Sequence, residues 1–483
     1  MRPLRTAMSK GGGEPQPETT GIGLTERVGY GLGDTASNLY FQFFNFFLLY
    51  YYTDVFGLNA AAVGTMYLVA NLWDAVNDPL MGAIADRTRT RHGLYRPYLL
   101  WFALPYGFFG YLIFANPSGL GETGKLAFAY VTFIAFKMVY TAINIPYSAM
   151  MGVMTSDARE RIELSAARFL GAFGGGFMVS LLVRPLVKVF GGDDEVAGFQ
   201  GTMALFGVLS VVMFLVTFFT TRERVPPLVE KVDVLTDLKI LSQNRPWLIM
   251  IAAAVCTLAS VAVRGAVTVH FFKYVVGASD EALFALGAEG SAFRLEFDAT
   301  TLFLSASSLS FIVGVAMTGV VSKLMGKRNG LILLTLANGL VILTFFVIPP
   351  SNYTLMMVAN VVASLLAGPT PALVWALYTD VADYGEVMSG RRATALVFSA
   401  AMFAQKMGLT IGGSASGWLL DYFGFVANQE QTPRALLGIR LMFAVVPGAL
   451  ALLNGLILLF YPLSDAQADE LRAQLEARRH AES

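Results

Sequence analysis

The chain is poor in charge. Of 483 residues only 14% are Asp, Glu, Lys or Arg, and 55% are hydrophobic. Soluble domains carry roughly 25% charged residues, and a mean hydropathy of +0.58 points instead to a polytopic membrane protein. The single cysteine, Cys256, excludes an intramolecular disulfide. The three histidines, His92, His270 and His480, are scattered. They supply no histidine metal centre and no nucleophile–base pair of the kind an intramembrane hydrolase needs. The formal net charge is zero, so nothing suggests nucleic acid as a partner. No repeated pore loop argues for a channel, and no loop is long enough for a catalytic domain. No cofactor is implied, and nothing in the sequence asks for more than a monomer.

What is present is a series of apolar runs. Twelve can be counted, with cores near residues 29–52, 63–85, 95–115, 127–150, 169–190, 203–220, 247–272, 301–324, 331–348, 355–378, 394–419 and 442–461. They predict an all-α polytopic membrane protein of twelve transmembrane helices. Two six-helix bundles, 29–220 and 247–462, are expected around a middle loop at 221–246. A polar tail at 1–28 is expected to be disordered rather than a signal peptide, and the tail at 463–483 has helical spacing. Basic residues recur after even-numbered runs: Arg87, Arg89, Arg91 and Arg96, then Arg159 and Arg161, then Arg222 and Arg224, and later Arg391 and Arg392. The positive-inside rule then places the middle loop and both termini in the cytoplasm of a cell with a single inner (plasma) membrane.

Against this background two acids stand out. Asp74 and Asp78 lie one helical turn apart inside the second run, on one face of the helix. A carboxylate at that depth costs about 2.5–3.5 kcal/mol on insertion scales. Two such neighbours require protons, a metal ion or basic partners. The rival to a cation site is a structural ion pair with a lysine from another helix. Lys137, Thr141 and Asn144 fall at i, i+4 and i+7 in the fourth run, a polar stripe with Tyr140 beside it. Lys137 is expected to offset nearby acids, with a uronate-type carboxylate as the other possible partner. Asp34 in the first run and Lys406 in the eleventh are the remaining mid-span charges of interest. Arg264 and His270 in the seventh have no evident role.

Several motifs carry a family likeness. YYYTDVFGL (50–58), LWDAVNDP (72–79), ADRTRTRHGLYRPY (85–98), NIPYSAMMGVM (144–154) and DVADYGEVMSGRR (380–392) together resemble the glycoside–pentoside–hexuronide:cation symporters of the major facilitator superfamily. The likeness spans nearly the whole chain in order. It implies two pseudo-symmetric bundles and alternating access. It also implies a cation site at Asp74, Asn77, Asp78 and Thr141, for Na⁺, Li⁺ or H⁺, with Asp74 and Asp78 as the metal-binding acids. A sugar site is implied at Asp34, Arg168 at the start of helix five, and Lys406, with Tyr140 and Asn144 alongside. Asn144 stands where the melibiose carrier of that family has an acid, and Ser148 where it has a tryptophan, which loosens any inference of galactoside specificity. Arg87, Asp380, Asp383, Arg391 and Arg392 are expected to form charge links between the bundles, a gating role. A lysophospholipid or other amphiphile is the alternative cargo, and the bilayer is the expected surrounding.

Overall fold

The computed structural model describes residues 21–226, 241–277, 282–288, 291, 294–389 and 394–482. Among these, twelve helical spans alternate in direction. The first, α1, is Leu24–Phe46, continued by Leu48–Tyr50 and a π-helical turn at Tyr51–Val55. Next come α2 (Ala60–Arg87), α3 (Arg96–Leu112), α4 (Glu122–Met154), α5 (Ala158–Gly191) and α6 (Glu195–Thr220). In the second half α7 is Arg245–His270 plus a π-helical turn at Phe271–Val276, and α8 is Ala299–Ala316 followed by Thr318–Met325. The remaining spans are α9 (Lys327–Thr344), α10 (Tyr353–Ala367 and Thr370–Ser389) and α11 (Thr394–Tyr422). The last, α12, is Pro433–Arg440, a π-helical turn at Leu441–Val445, and Val446–Leu459; Asp465–Glu482 forms the tail helix α13.

Local chemistry sets many of these boundaries. Asn59 accepts from the backbone N–H groups of Ala61 and Ala62 to open α2, and Asp157 does the same for Arg159 and Glu160 in α5. Asn244 caps α7 with Pro246 in its first turn. Asp157 therefore starts α5 well before Arg168, so residues 158–168, read from sequence as part of a loop, are helix. The same holds for Asp380 and Asp383, which lie inside α10. Seven spans are apolar enough for a membrane on length and hydropathy alone. The helices α1, α2 and α11 are not among them, and they carry Asp34, Asp74, Asp78 and Lys406.

Helices α1–α6 pack on one another, as do α7–α12, through pairs such as α1 with α5, α4 with α3, α7 with α11 and α9 with α12. The two bundles meet through α2 with α11, α5 with α8 and α1 with α7. Between α7 and α8 the polar connection folds back as a hairpin, β1 (Ala282–Leu286) antiparallel to β2 (Leu295–Asp298), with Phe284 opposite Phe297. The sequence gives little warning of it, because strands of five and four residues are too short to establish a period. This end of the molecule is called the hairpin end below; the opposite end carries α13.

At the hairpin end the bundles are drawn together. A β-carbon added to Gly64 would overlap the carbonyl of Ser414, and one added to Gly417 that of Ala60. Only glycine permits this crossing of α2 and α11. Asn59 Nδ2 donates to Asp421 at 2.8 Å, and Trp418 Nε1 to Thr65 at 3.1 Å. Arg184 of α5 pairs with Asp298, and Lys188 with Glu296 at 2.5 Å. The Lys188 hydrogen bond holds the Glu296 carboxyl below the ordinary glutamate range.

Candidate functional site

The acids of α2 face α4 on one side and α11 on the other. Pro79 follows Asp78 directly and has no N–H to give the carbonyl of Ala75, which loosens the helix beside the acid. Asp74 is buried, and its Oδ2 lies 2.6 Å from Lys137 Nζ of α4, with side chains only 7% and 17% exposed. Asp78 accepts from Thr141 Oγ1 at 2.9 Å through Oδ1. Its other oxygen pairs with Lys406 Nζ of α11. The polar stripe expected on α4 is thus real: Lys137 meets Asp74, Thr141 meets Asp78, and Asn144 accepts from Ser37 Oγ at 2.8 Å while donating to Tyr140 O.

The motif likeness implies a small cation at the two carboxylates, and the structure sets a lysine ammonium on each. Asp74 and Asp78 are ion-paired residues here, and their charge is already balanced. The physical cause is the arrival of Lys137 and Lys406 from neighbouring helices, which sequence spacing cannot show. Two polar atoms of the set are nevertheless buried without a hydrogen-bond partner, Asp74 Oδ1 and Asn77 Nδ2. They leave one oxygen donor and one amide of the set uncommitted.

A second centre joins α1 and α5. Gly31 and Gly171 each lie so close to the facing backbone that a β-carbon would overlap it. That contact brings Asp34 opposite Arg168. Arg168 Nε donates to Asp34 Oδ2 at 2.6 Å, and Nη2 reaches Ser148 Oγ at 3.4 Å. The guanidinium lies 5.0 Å over the ring of Tyr147, whose hydroxyl donates to Tyr30 O. Charge-assisted pairs of this kind fix geometry as well as energy. Tyr140 is half-buried against Tyr106 and Phe136. Substrate candidates Asp34, Arg168, Tyr140 and Asn144 therefore sit together on α1, α4 and α5, with Lys406 approaching from the other bundle.

Of the expected gating charges, Asp380 and Asp383 have bases nearby among the described residues. Asp380 accepts from Lys327 at 2.5 Å and from Arg472 of α13 at 3.2 Å, and Asp383 lies 3.9 Å from Arg472. These bonds stay within the second half of the chain and do not reach across to the first bundle. Lys327 opens the adjacent α9, which makes it the nearer cation. Arg87 is exposed at the end of α2. Arg391 and Arg392 lie outside the described residues.

Sequence reasoning passed over a cross-bundle cluster at the hairpin end. Asp54 in the π-helical turn of α1 pairs with Lys273 at 2.9 Å and with Tyr274, both in the π-helical turn of α7. His270, fully buried, has Nε2 3.1 Å from Thr53 Oγ1 and 3.3 Å from Asp54 Oδ2. Asn428 donates to Asp54 O. An acid in the first motif and a lysine three residues after a lone histidine were the available signals. Arg264 proves to lie among Phe345, Phe443 and Phe303, with ring centroids 4.6, 4.9 and 6.0 Å away.

Comparison with known proteins completes the picture. The family described as MFS/sugar transport protein matches residues 29–465. The chain belongs to that family. It is a multi-pass membrane transporter with the major facilitator fold, and not an enzyme. YagG of Escherichia coli (strain K12), provisionally named a glycoside/cation symporter, is 38% identical over 96% of this chain and 97% of its own. The isoprimeverose transporter of Lactiplantibacillus pentosus is 34% identical, covering 95% of this chain and 92% of its own. The glucuronide carrier protein homolog of Escherichia coli (strain K12) is 32% identical, over 94% and 95%. Among solved structures, the nucleoside transporter NupG superposes with a TM-score of 0.61 at 13% identity, covering 91% of this chain and all of that one, a likeness of fold alone.

Proposed function

We propose that the chain is a cation-coupled symporter of a glycoside or related sugar, working by alternating access between its two bundles. The observation that carries this reading is the Asp78–Lys406 pair. It joins the bundles where Thr141 also holds Asp78, and Lys406 is 47% exposed and so free to exchange partners. A monovalent cation, Na⁺, Li⁺ or H⁺, competes with Lys406 for Asp78, close to the uncommitted Asp74 Oδ1. The sugar's hydroxyls engage Asp34, Arg168 and Asn144. Cation and sugar affinities are then reciprocally linked, because each changes what Lys406 can bind. The names of the relatives support a sugar cargo. The distribution of basic residues supports termini in the cytoplasm of a cell with an inner membrane, and the scheme needs one copy of the chain.

The test is uptake into liposomes reconstituted with the chain, with imposed Na⁺ or pH gradients. Asp78→Cys is expected to lose cation-stimulated uptake, by a factor of about 10² or more, while sugar still shifts its melting temperature. Undiminished cation stimulation in that variant would contradict the assignment.

A second reading, an amphiphile such as a lysophospholipid, has one observation in its favour. Val69, Leu72, Trp73, Val76, Ile134 and Met138 line an apolar groove of about 460 Å³ between α2 and α4, on a different face of α2 from Asp74 and Asp78. A melting-temperature rise with lysophosphatidylcholine and none with any sugar would select it.

A further inference from the structure

Arg264 is a cation without an acid. Asp34, Asp54, Asp74 and Asp78 each hold a base of their own. Arg264 lies in the half of α7 nearer the hairpin end. Among the described residues it makes no ion pair and no hydrogen bond, and its Nη2 is buried. Its guanidinium carbon sits 4.6, 4.9 and 6.0 Å from the ring centroids of Phe345, Phe443 and Phe303. These rings come from the end of α9, the π-helical turn of α12 and the second turn of α8. They pack on one another with centroids 5.5–6.0 Å apart and are buried. Ring faces attract a guanidinium, but they do not replace the oxygen or anion acceptors its N–H groups need, and a buried donor left unmet is costly. The carbonyls ending α9 are the nearest natural acceptors, yet Phe346 O is taken by Arg440 Nη2 at 2.7 Å. The Arg440 guanidinium lies 5.1 Å over the Phe346 ring, and it too has no ion-paired acid among the described residues. Two positive charges thus converge on Phe345 and Phe346. Thr300, one turn before Phe303 on the same face of α8, is fully buried, and its hydroxyl has no partner either.

We propose that Arg264 and its phenylalanine cup hold a small monovalent inorganic anion, a halide such as chloride, as a resident ligand of the second bundle. Water would accept the Arg264 N–H bonds but leave the charge uncompensated in a poor dielectric, whereas an anion does both. The walls set the size. Three rings in mutual contact leave a halide room beside the guanidinium and leave none for a sugar. Phe345 meets Phe303 and Phe443 edge-on, at 79° and 87°, so ring edges, the positive part of the aromatic quadrupole, are available to an anion. The Thr300 hydroxyl is a further donor on that side. Arg264 and the cup belong to α7, α8, α9 and α12 of one bundle, so the anion stays in place while the bundles part and is not cargo. Its effect is to fix α7, which meets α1 across the bundle interface. The assignment is separate from the coupling ion and the sugar of the symporter reading.

The experiment uses the full chain in detergent, with Na⁺ and ionic strength held constant while gluconate is exchanged stepwise for chloride or bromide. Either halide is expected to give a saturable rise in melting temperature of about 2 °C or more, and Arg264→Gln to lose that rise. Equal melting temperatures in chloride and gluconate overturn the proposal, as does a full halide response in Arg264→Gln. Equilibrium binding of radiolabelled chloride supplies a second readout should Arg264→Gln fail to fold. The native chain is expected to bind about one ion, displaced by bromide and not by gluconate. Arg264→Lys, which keeps the charge but loses the planar fork, is expected to bind it at least about tenfold more weakly. No chloride bound to the native chain, or an unchanged affinity in Arg264→Lys, overturns the site. Labelled chloride that accumulates in liposomes together with a sugar overturns the resident assignment, since the anion would then be cargo. None of these failures touches the symporter reading, which stands or falls on cation-driven sugar uptake.

Discussion

The charge of Asp74 rests on a single side chain. Its Oδ2 is held by Lys137 and its Oδ1 has no partner. Removing one member of a buried pair typically costs about 3–5 kcal/mol, because the other is left charged and alone. Lys137→Met is therefore expected to lower the melting temperature in a choline buffer. The same variant should recover more of that loss on adding Na⁺ than the native chain gains, because a cation then takes the vacated side of Asp74. Equal salt responses in the two proteins would show that Lys137 does not neutralise this acid. The sequence shows these residues one by one and says nothing of their partners. Asp74 and Asp78 betray themselves by depth, and the stripe Lys137, Thr141, Asn144 by period. The Asp78–Lys406 pair, however, spans 328 positions, and no local pattern encodes a contact of that separation. Asp54 went unread because it sits at a helix end, where an acid looks solvated, whereas the structure buries it under Lys273, Tyr274 and His270.

Among elements, the crossing of α2 and α11 decides how tightly the hairpin end shuts. Gly64 and Gly417 let the two backbones touch, and small residues at crossings are the usual means of close approach in membranes. Gly417→Val inserts bulk into a packed contact, an overpacking penalty of about 1–3 kcal/mol. That is enough to shift a two-state balance by roughly tenfold or more. The expected outcome is a wider hairpin end in a larger share of molecules. Spin labels at Leu120 and Val426, both exposed, in a Cys256→Ala background, would report it as a second, longer distance in pulsed dipolar spectra. A single unchanged distance would mean that the crossing is not a hinge of the equilibrium. Helix number and order were legible from the apolar runs. Helix starts were less so: Asp157 carries α5 back over a segment whose charges read as a loop, since a polar first turn outside the bilayer looks the same whether coiled or not. The hairpin was not legible at all, its strands being too short to repeat.

Across the whole molecule, the half-and-half plan was readable from six plus six spans around a long basic connection, while the partners of the charged residues were not. Among the described residues Asp380 holds Lys327 and Arg472, a pairing over 53 and 92 positions that no local pattern encodes. The cross-bundle bonds found at Asn59–Asp421, Thr65–Trp418, Asp54–Lys273 and Arg184–Asp298 gather at the hairpin end, so that is where the bundles must part if the central site is to open to that side. A tether there tests alternating access directly. In a Cys256→Ala background, Asn59→Cys and Asp421→Cys replace a pair whose side chains meet at 2.8 Å. A short bis-methanethiosulfonate would then join the bundles through two reducible disulfides, with Asn59→Cys alone as the control for the lost cap of α2. Uptake is expected to fall by about tenfold or more after cross-linking, since the open form would be sampled rarely if at all, and to return with a reductant. Each single cysteine variant should be indifferent to the reagent. A melting-temperature rise with sugar in the tethered protein would show that binding does not need the hairpin end to part. Full uptake through a completely cross-linked carrier would place the moving parts elsewhere, and would leave the seal between α2 and α11 as a static weld rather than a gate.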